Sequence, residues 1–459
     1  MHRLAAALVA AAIVPLAPSL RQLQPRAQAP GFAVAVLRNG KIVDRFAAGE
    51  ADLARSLPVT PQTIFHIGSI TKTFTATAVM QLVQAGKIDL HASVTRYLPQ
   101  FVAWKNISIA ELLMHRSGIP NYLDAALARG RVAQPTTPQA ILAAMAARPL
   151  DFVPGTHFEY SNTNYVALGL IVAKLSGESL AAYERRAIFI PANMHSTFVG
   201  NAPAGRPLAL GYKTREGATV ANPGDPSWYY ACGDILSTVG DLARFDRALM
   251  DGRLLAPATF AEMAKVARPA SGFGNARYGY GVMTFAFGNR TLVGHHGGLP
   301  GFEGDNEMIP RDGFAVVALG NAFDFATSGP DNLVFEHYYP KQFAALVVAA
   351  HDASEKAIPD PNPALTRRFA AFLRGLLAGK QSDAHLTPQM AGALTPTAIA
   401  QIDAQVFTRL GALRRLTFRD RAVIDGYRAY DYLASFANGH LDLRFTLDRN
   451  GALAGFTKQ

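Results

Sequence analysis

Apolar and polar positions follow two rhythms along this chain, and the changes between them divide it. Residues 31–37 form an unbroken apolar run, followed by Arg38-Asn39-Gly40-Lys41 and a second strand-like run over 42–48. Asn-Gly between two such runs is the strongest short hairpin signal, because the two-residue turn needs positive φ at both positions. Residues 71–85 then place Phe74, Ala78, Val79 and Leu82 at a helical period that Gly86 stops. From 90 to 249 the pattern is helix and loop, with helices expected over 167–175 and 242–250. Strand patterns return over 280–287, 291–295 and 314–319. Strands at both ends with helices between predict one sheet built from both ends of a domain.

A second unit follows. Residues 352–363 hold three prolines, mixed charges and one large aliphatic residue, Ile358, and read as a linker. Beyond them, 365–377 and 396–410 read as helices, and 416–418, 427–436, 440–447 and 452–456 as strands. Leu441, Leu443, Phe445 and Leu447 alternate with Asp442, Arg444 and Thr446, the period of a half-buried strand. Asn438-Gly439 and Asn450-Gly451 supply hairpin turns. The expected organisation is a signal peptide over 1–29, a first domain over 30–345, a linker over 346–363 and an α+β domain over 364–459.

Composition narrows the class only a little. With 49% hydrophobic and 17% charged residues in 459, this is folded-protein composition, long enough for more than one core. The net charge of +10 is scattered, with no basic run or basic helix interleaved with aromatics, so it does not point to nucleic acid. A single cysteine, Cys232, excludes an internal disulfide and any paired-cysteine metal or redox motif; beside Gly233 it reads as a small buried filler. Met1-His2-Arg3, a short apolar stretch broken at Pro15, and Ala27-Gln28-Ala29 as a cleavage site read as a secretory signal, with an uncleaved anchor as the alternative. A periplasmic or secreted, soluble mature protein is therefore expected, with no later segment long and apolar enough to span a bilayer.

Three short stretches carry the chemistry. In Ser69-Ile70-Thr71-Lys72 a hydroxyl and an amine stand three residues apart, on one face of a helix. A serine hydroxyl needs a neighbour to take its proton, and a lysine can do so only when desolvation or a second cation lowers its pKa. Ser-x-x-Lys alone is a common surface pattern, but here Phe65, Ile67 and Gly68 precede it and Phe74 and Ala76 follow. In Tyr160-Ser161-Asn162 a phenol and an amide two residues apart can face one cleft if the segment is extended. Gly294-His295-His296-Gly297-Gly298 is a polar strand edge on which adjacent histidines face opposite sides, which argues against a paired-histidine metal site. Its glycines let substrate approach the backbone, and the Gly298 N–H with that of Ser69 can form an oxyanion hole. For either histidine a buried structural role stays open, and His115 reads as a loop anchor more than a cleft residue. No His-Glu-x-x-His, Gly-x-Ser-x-Gly or phosphate-loop pattern is present.

Together, residues 65–75, 112–118, the Tyr-Ser-Asn loop and 294–302, arriving in this order, resemble the serine β-lactamase and penicillin-binding-protein superfamily. The similar branch is that of class C β-lactamases, D-Ala-D-Ala carboxypeptidases and related esterases. The resemblance implies an α+β, β-lactamase/transpeptidase-like fold, an antiparallel sheet flanked by helices with a helical subdomain. It implies Ser69 as the acylated nucleophile, Lys72 as its proton partner, and Tyr160 as general base or acid. Asn162, His295, His296 and Gly297 would bind substrate, and Ser69 and Gly298 would form the oxyanion hole. His-His-Gly stands where β-lactamases usually carry Lys-Thr-Gly, which removes a permanent cation for a substrate carboxylate. The last domain resembles a nuclear-transport-factor-like unit.

The expectation is a serine hydrolase acting through an acyl-enzyme on a small-molecule or peptide ester or amide, with no cofactor, no metal and no nucleic-acid partner. Weak β-lactamase action falls within it. The alternative is a single-turnover or non-catalytic sensor of cell-wall fragments or β-lactams. Oligomeric state is left open by the sequence.

Overall fold

A computed structural model describes residues 16, 18, 20, 29–128, 130–213, 218–270, 276–322, 328–339, 360–380, 385–396, 398–399, 412–424, 427–437 and 439–458. The chain falls into two compact units that divide near residue 346. Nearly all of the expected signal peptide, the linker and the helix over 396–410 lie outside the described residues, as does Asn438 of the hairpin turn.

The first unit is organised on an antiparallel sheet. Its long strands are β1 (Gly31–Arg38), β2 (Lys41–Asp52), β3 (Met283–Phe287), β4 (Arg290–Leu299), β5 (Phe302–Ile309) and β6 (Phe314–Gly320). They lie in the order β2-β1-β6-β5-β4-β3, with two-residue strands extending both edges. The two ends of the domain meet where β1 pairs with β6, Val34 opposite Ala318. Asn39 and Gly40 take φ of 49° and 71°, as the turn between β1 and β2 requires.

Strand β5 escapes a reading by hydrophobicity. Its sequence, Phe302-Glu303-Gly304-Asp305-Asn306-Glu307-Met308-Ile309, looks like a polar loop, yet it pairs on both sides. Three acids take alternate positions on one face, and Phe302, Gly304, Asn306 and Met308 turn to the other. Strand β4 is also longer than the 291–295 expected, running through His295, His296, Gly297 and Gly298.

Helix α1 (Thr71–Gln84) is buried round most of its circumference, so it enters the core instead of lying on it. Its buried threonines are satisfied across elements: Thr73 Oγ1 donates to Gly281 O at 3.0 Å, and Thr75 Oγ1 to Ala231 O at 2.7 Å. Phe74 stacks on Phe245 at 3.9 Å between ring centroids. The other long core helices are α2 (Asn162–Ser176) and α3 (Val239–Met250). Among the described residues no single helix is long and apolar enough to cross a membrane.

Asp246 ties α3 to the sheet. Buried in the core, it accepts a hydrogen bond from Asn306 Nδ2 at 2.8 Å. Burial pushes its carboxyl up to about 8, against a smaller downward pull from that hydrogen bond.

The second unit packs helix α4 (Pro363–Leu377) on a four-stranded antiparallel sheet, β7 (Leu413–Ile424), β8 (Tyr427–Phe436), β9 (Gly439–Leu447) and β10 (Leu453–Lys458). Phe369 of α4 stacks on Phe445 of β9 at 4.2 Å. Asp431 and Arg444 face each other across β8 and β9 in a bidentate pair, both contacts 2.7 Å. Strand β7 is far longer than the 416–418 expected, because its charged positions hide the period.

Asp246 generates a stability prediction. Its pKa is raised in the folded state, so the protonated acid is favoured there; stability is lost as pH rises from the unfolded carboxylate range through about 8. Asp246→Asn should raise the melting temperature clearly more at pH 9 than at pH 5, as calorimetry would show. An equal effect at both pH values would mean that the carboxyl is not protonated in the fold.

Candidate active site

Ser69 lies in a single 3-10 turn, Gly68–Ile70, that runs directly into α1. Lys72, in the first turn of α1, is completely buried. Its Nζ donates to Ser69 Oγ at 2.9 Å, Asn162 Oδ1 at 2.7 Å and the Cys232 carbonyl at 2.8 Å. Three N–H groups thus meet three acceptors, the full complement of an ammonium. Burial nevertheless dominates and pulls its pKa down to about 8, with a smaller opposing contribution from Cys232.

Tyr160 joins this centre through a hydrogen bond between its side chain and Ser69. The Lys72 Nζ stands 4.9 Å from the centroid of the Tyr160 ring. Burial drives the Tyr160 phenol well above its ordinary range, outweighing the bond to Ser69, so it is protonated at neutral pH. Ser161 is extended and Asn162 opens α2, which turns the Tyr160 hydroxyl and the Asn162 amide toward Lys72. Asn121 fixes that amide: its Oδ1 accepts from Asn162 N at 3.0 Å and from Nδ2 at 3.2 Å.

His115 anchors this loop, as its sequence context suggested. It is buried, takes φ of 55°, and its Nδ1 accepts the Ser161 N–H at 3.1 Å. The ring lies 4.2 Å from that of Tyr160. Desolvation first, then the charge of Lys72, hold its pKa well below the ordinary histidine value, so it is a neutral prop.

The two histidines of β4 separate, as strand alternation demands. His295 is buried on the side of Tyr160, with ring centroids 6.3 Å apart. Its Nε2 is bonded to the Tyr278 hydroxyl at 2.8 Å and its Nδ1 lies 2.5 Å from the His296 carbonyl. Both ring nitrogens are thereby engaged within the protein, and burial together with Lys72 pushes the pKa down to about 3. His295 is thus an uncharged wall of the site.

His296 lies on the other side of the strand. Its half-exposed side chain reaches Glu303 at 3.1 Å, and it stands opposite Asp305 in the ladder. Burial lowers its pKa, but the bond to Glu303 and the charges of Asp305 and Glu303 outweigh that and raise it. None of these contacts is with Ser69, Lys72 or Tyr160.

Gly297 and Gly298 bring strand β4 against the Ser69 turn. A Cβ at Gly297 would stand 2.0 Å from the Ile67 carbonyl oxygen, and one at Gly68 would stand 2.7 Å from Gly298 N. This close approach sets the Gly298 N–H beside the turn that carries the Ser69 N–H, the pair expected to form an oxyanion hole.

Three participants were missed at the sequence level: the Cys232 carbonyl, Asn121 and Tyr278. A backbone carbonyl has no sequence signature. The residue before Cys232 by two, Tyr230, has φ of 27°, a strained turn that presents the carbonyl to Lys72. Cys232 itself is buried, as its small-filler reading expected.

The Gly297 contact yields a test. Gly297→Ala must move backbone, since the atom it meets is a carbonyl oxygen; acylation of Ser69 should slow at least about 100-fold. Stopped-flow measurement with a chromogenic ester reads this, and an unchanged rate would show that the Ser69 turn and β4 are not held together as described.

Comparison with known proteins shows the family. The family model described as Beta-lactamase matches residues 11–337, more than half of the chain. The match ends before the second unit, so the likeness of that unit to nuclear transport factors receives no support from it. The chain is 32% identical over 302 residues to the protein named putative penicillin-binding protein PbpX of Bacillus subtilis, covering 65% of this chain and 72% of that one. It is also similar to the D-amino acid amidase of Ochrobactrum anthropi, at 26% identity and a TM-score of 0.60 over 73% of this chain and 99% of that one. A D-stereospecific amidohydrolase from Streptomyces aligns at 28% identity and a TM-score of 0.62, covering 71% and 100%. The chain belongs to the β-lactamase family and is a serine hydrolase of that type.

Proposed function

We propose that the protein hydrolyses amides or esters of the D-amino-acid class through an acyl-enzyme on Ser69. One observation carries the reading: a lysine amine 2.9 Å from Ser69 Oγ, buried so that its pKa falls to about 8. At pH 7 about one Lys72 in ten is then neutral, against roughly one in two or three thousand for an ordinary lysine. Ser69 Oγ attacks the acyl carbon and its proton passes to Lys72, whose new ammonium is received by Asn162 Oδ1 and the Cys232 carbonyl. The developing oxyanion is stabilised by the N–H groups of Ser69 and Gly298. Tyr160, protonated and bonded to Ser69, hands its proton to the leaving amine or alkoxide and recovers one from Lys72. Water then cleaves the ester by the reverse relay.

Two features support an amide or ester over a penicillin. The named activities of the two similar solved structures are an amidase and an amidohydrolase selective for D-substrates. His295, uncharged at neutral pH, leaves the position of the usual cation without a charge for a substrate carboxylate. The N-terminal sequence pattern supports an envelope or secreted location for this activity.

Lys72 must be neutral to act, so kcat/KM on p-nitrophenyl esters should rise about tenfold per pH unit from pH 6 toward 8, then level. A flat profile across that interval would exclude Lys72 as the base. Against a panel of D- and L-phenylalanine amides and nitrocefin, the D-amide should turn over many times per enzyme, with nitrocefin slower by about 100-fold or more. Fluorophosphonate labelling should vanish in Ser69→Ala. Labelling that persists there, or a single stoichiometric burst with every substrate, would overturn turnover at Ser69, the latter in favour of a sensor.

A further inference from the structure

On the side of the first unit built from the β1–β2 turn and helix α3 there is a cavity of about 290 Å³. It is lined by Leu37, Gly40, Lys41, Ile42, Arg45, Ala243, Arg244 and Arg247, so four of its eight residues are permanent cations and none is an acid. The clustering follows from local geometry. On α3, residue 247 follows 243 and 244 by one turn and neighbours both. Strand alternation turns Arg45 to the α3 side and Asp44 to the other face, where it is bonded to the Tyr338 hydroxyl. Arg45 lies against the first turn of α3, its Nε 3.9 Å from where a Cβ on Gly240 would be.

The nearby carboxylates leave much of this charge unanswered. Asp241 is buried and pairs with Arg244 through Nη1; Asp251 meets Arg247 through Nε at 3.1 Å. Both terminal amines of Arg247 remain for another acceptor. Among the described residues neither Lys41 nor Arg45 has an acidic partner. Like charges gathered in this way repel unless an anion sits among them, and guanidinium forks match the paired oxygens of a phosphoryl group. Leu37, Ile42 and Ala243 supply an apolar floor for a short carbon stub. The volume suits a phosphoryl group on a three-carbon alcohol and is below that of a drug-sized site.

We propose that this pocket binds a phosphoryl group esterified to a small alcohol, independently of the Ser69 site, with which it shares no residue. The same chemistry is offered by a soluble glycerol phosphate and by a phosphatidylglycerol headgroup. The test uses the full chain. Calorimetric titration with glycerol 3-phosphate forms one arm; sedimentation with phosphatidylglycerol vesicles, against phosphatidylcholine vesicles, forms the other.

At least one probe should bind. Binding should weaken about tenfold or more in Lys41→Glu/Arg45→Glu and fall as salt is raised. Arg414→Glu/Arg415→Glu, exposed positions in the second unit with the same change in net charge, should shift it less than about twofold. Ester hydrolysis should be the same in all three proteins, which also shows that they are folded; if the charge reversal disturbs melting, Lys41→Gln/Arg45→Gln replaces it. Binding of glycerol phosphate alone assigns a soluble source, and of anionic vesicles alone a headgroup. Binding of neither, or equal loss in the two double variants, overturns the proposal.

Discussion

A fully buried lysine amine with three acceptors is the constraint from which most of the first unit follows. Removing an ammonium from water is costly unless every N–H finds an oxygen. Lys72 therefore needs Ser69, Asn162 and Cys232 brought to one point from positions up to 160 residues away from it in the chain. Helix α1 carries the amine into the core and is held there by threonine hydroxyls that reach the segments around Ala231 and Gly281. The turn at Tyr230 accepts backbone strain to aim a carbonyl. These acceptors satisfy the charged form without cancelling the desolvation that lowers its pKa, so the amine is both tolerated and able to take a proton.

The surroundings keep that balance. Tyr160, Tyr165, Tyr278, His115 and His295 form a shell of rings around the amine, with His115 in contact with all three tyrosines and Tyr278 with His295. The imidazoles are held neutral and the phenols protonated by the same low polarity. No second cation is then needed to depress Lys72. The shell also explains how histidine can stand in the third motif without supplying charge: His295 is bound at both nitrogens and contributes shape.

Much of this was legible in the sequence, and the limits have physical reasons. Ser69, Lys72, Tyr160 and Asn162 stood out because their side chains carry the chemistry and their spacings fit local helix and loop geometry. The β1–β2 hairpin was readable from Asn39-Gly40, since few residues accept that turn. Strand β5 was not, because Glu303, Asp305 and Glu307 occupy one of its faces and imitate a loop. Asn121 and Tyr278 act only through tertiary contacts with residues 41 and 17 positions away. Alternation along β4 warned that His295 and His296 must part, but not which would face Tyr160; that depended on the pairing of β4 with β5 and the contact of Gly297 with Ile67.

The central claim is the state of one amine, and it can be observed without substrate. In protein carrying ¹⁵N at the lysine side chains, the Nζ resonance assigned by its loss in Lys72→Arg should titrate with a midpoint near pH 8. A midpoint near the ordinary lysine value of about 10.4 would show that burial does not ready Lys72 for proton transfer, and would contradict the account.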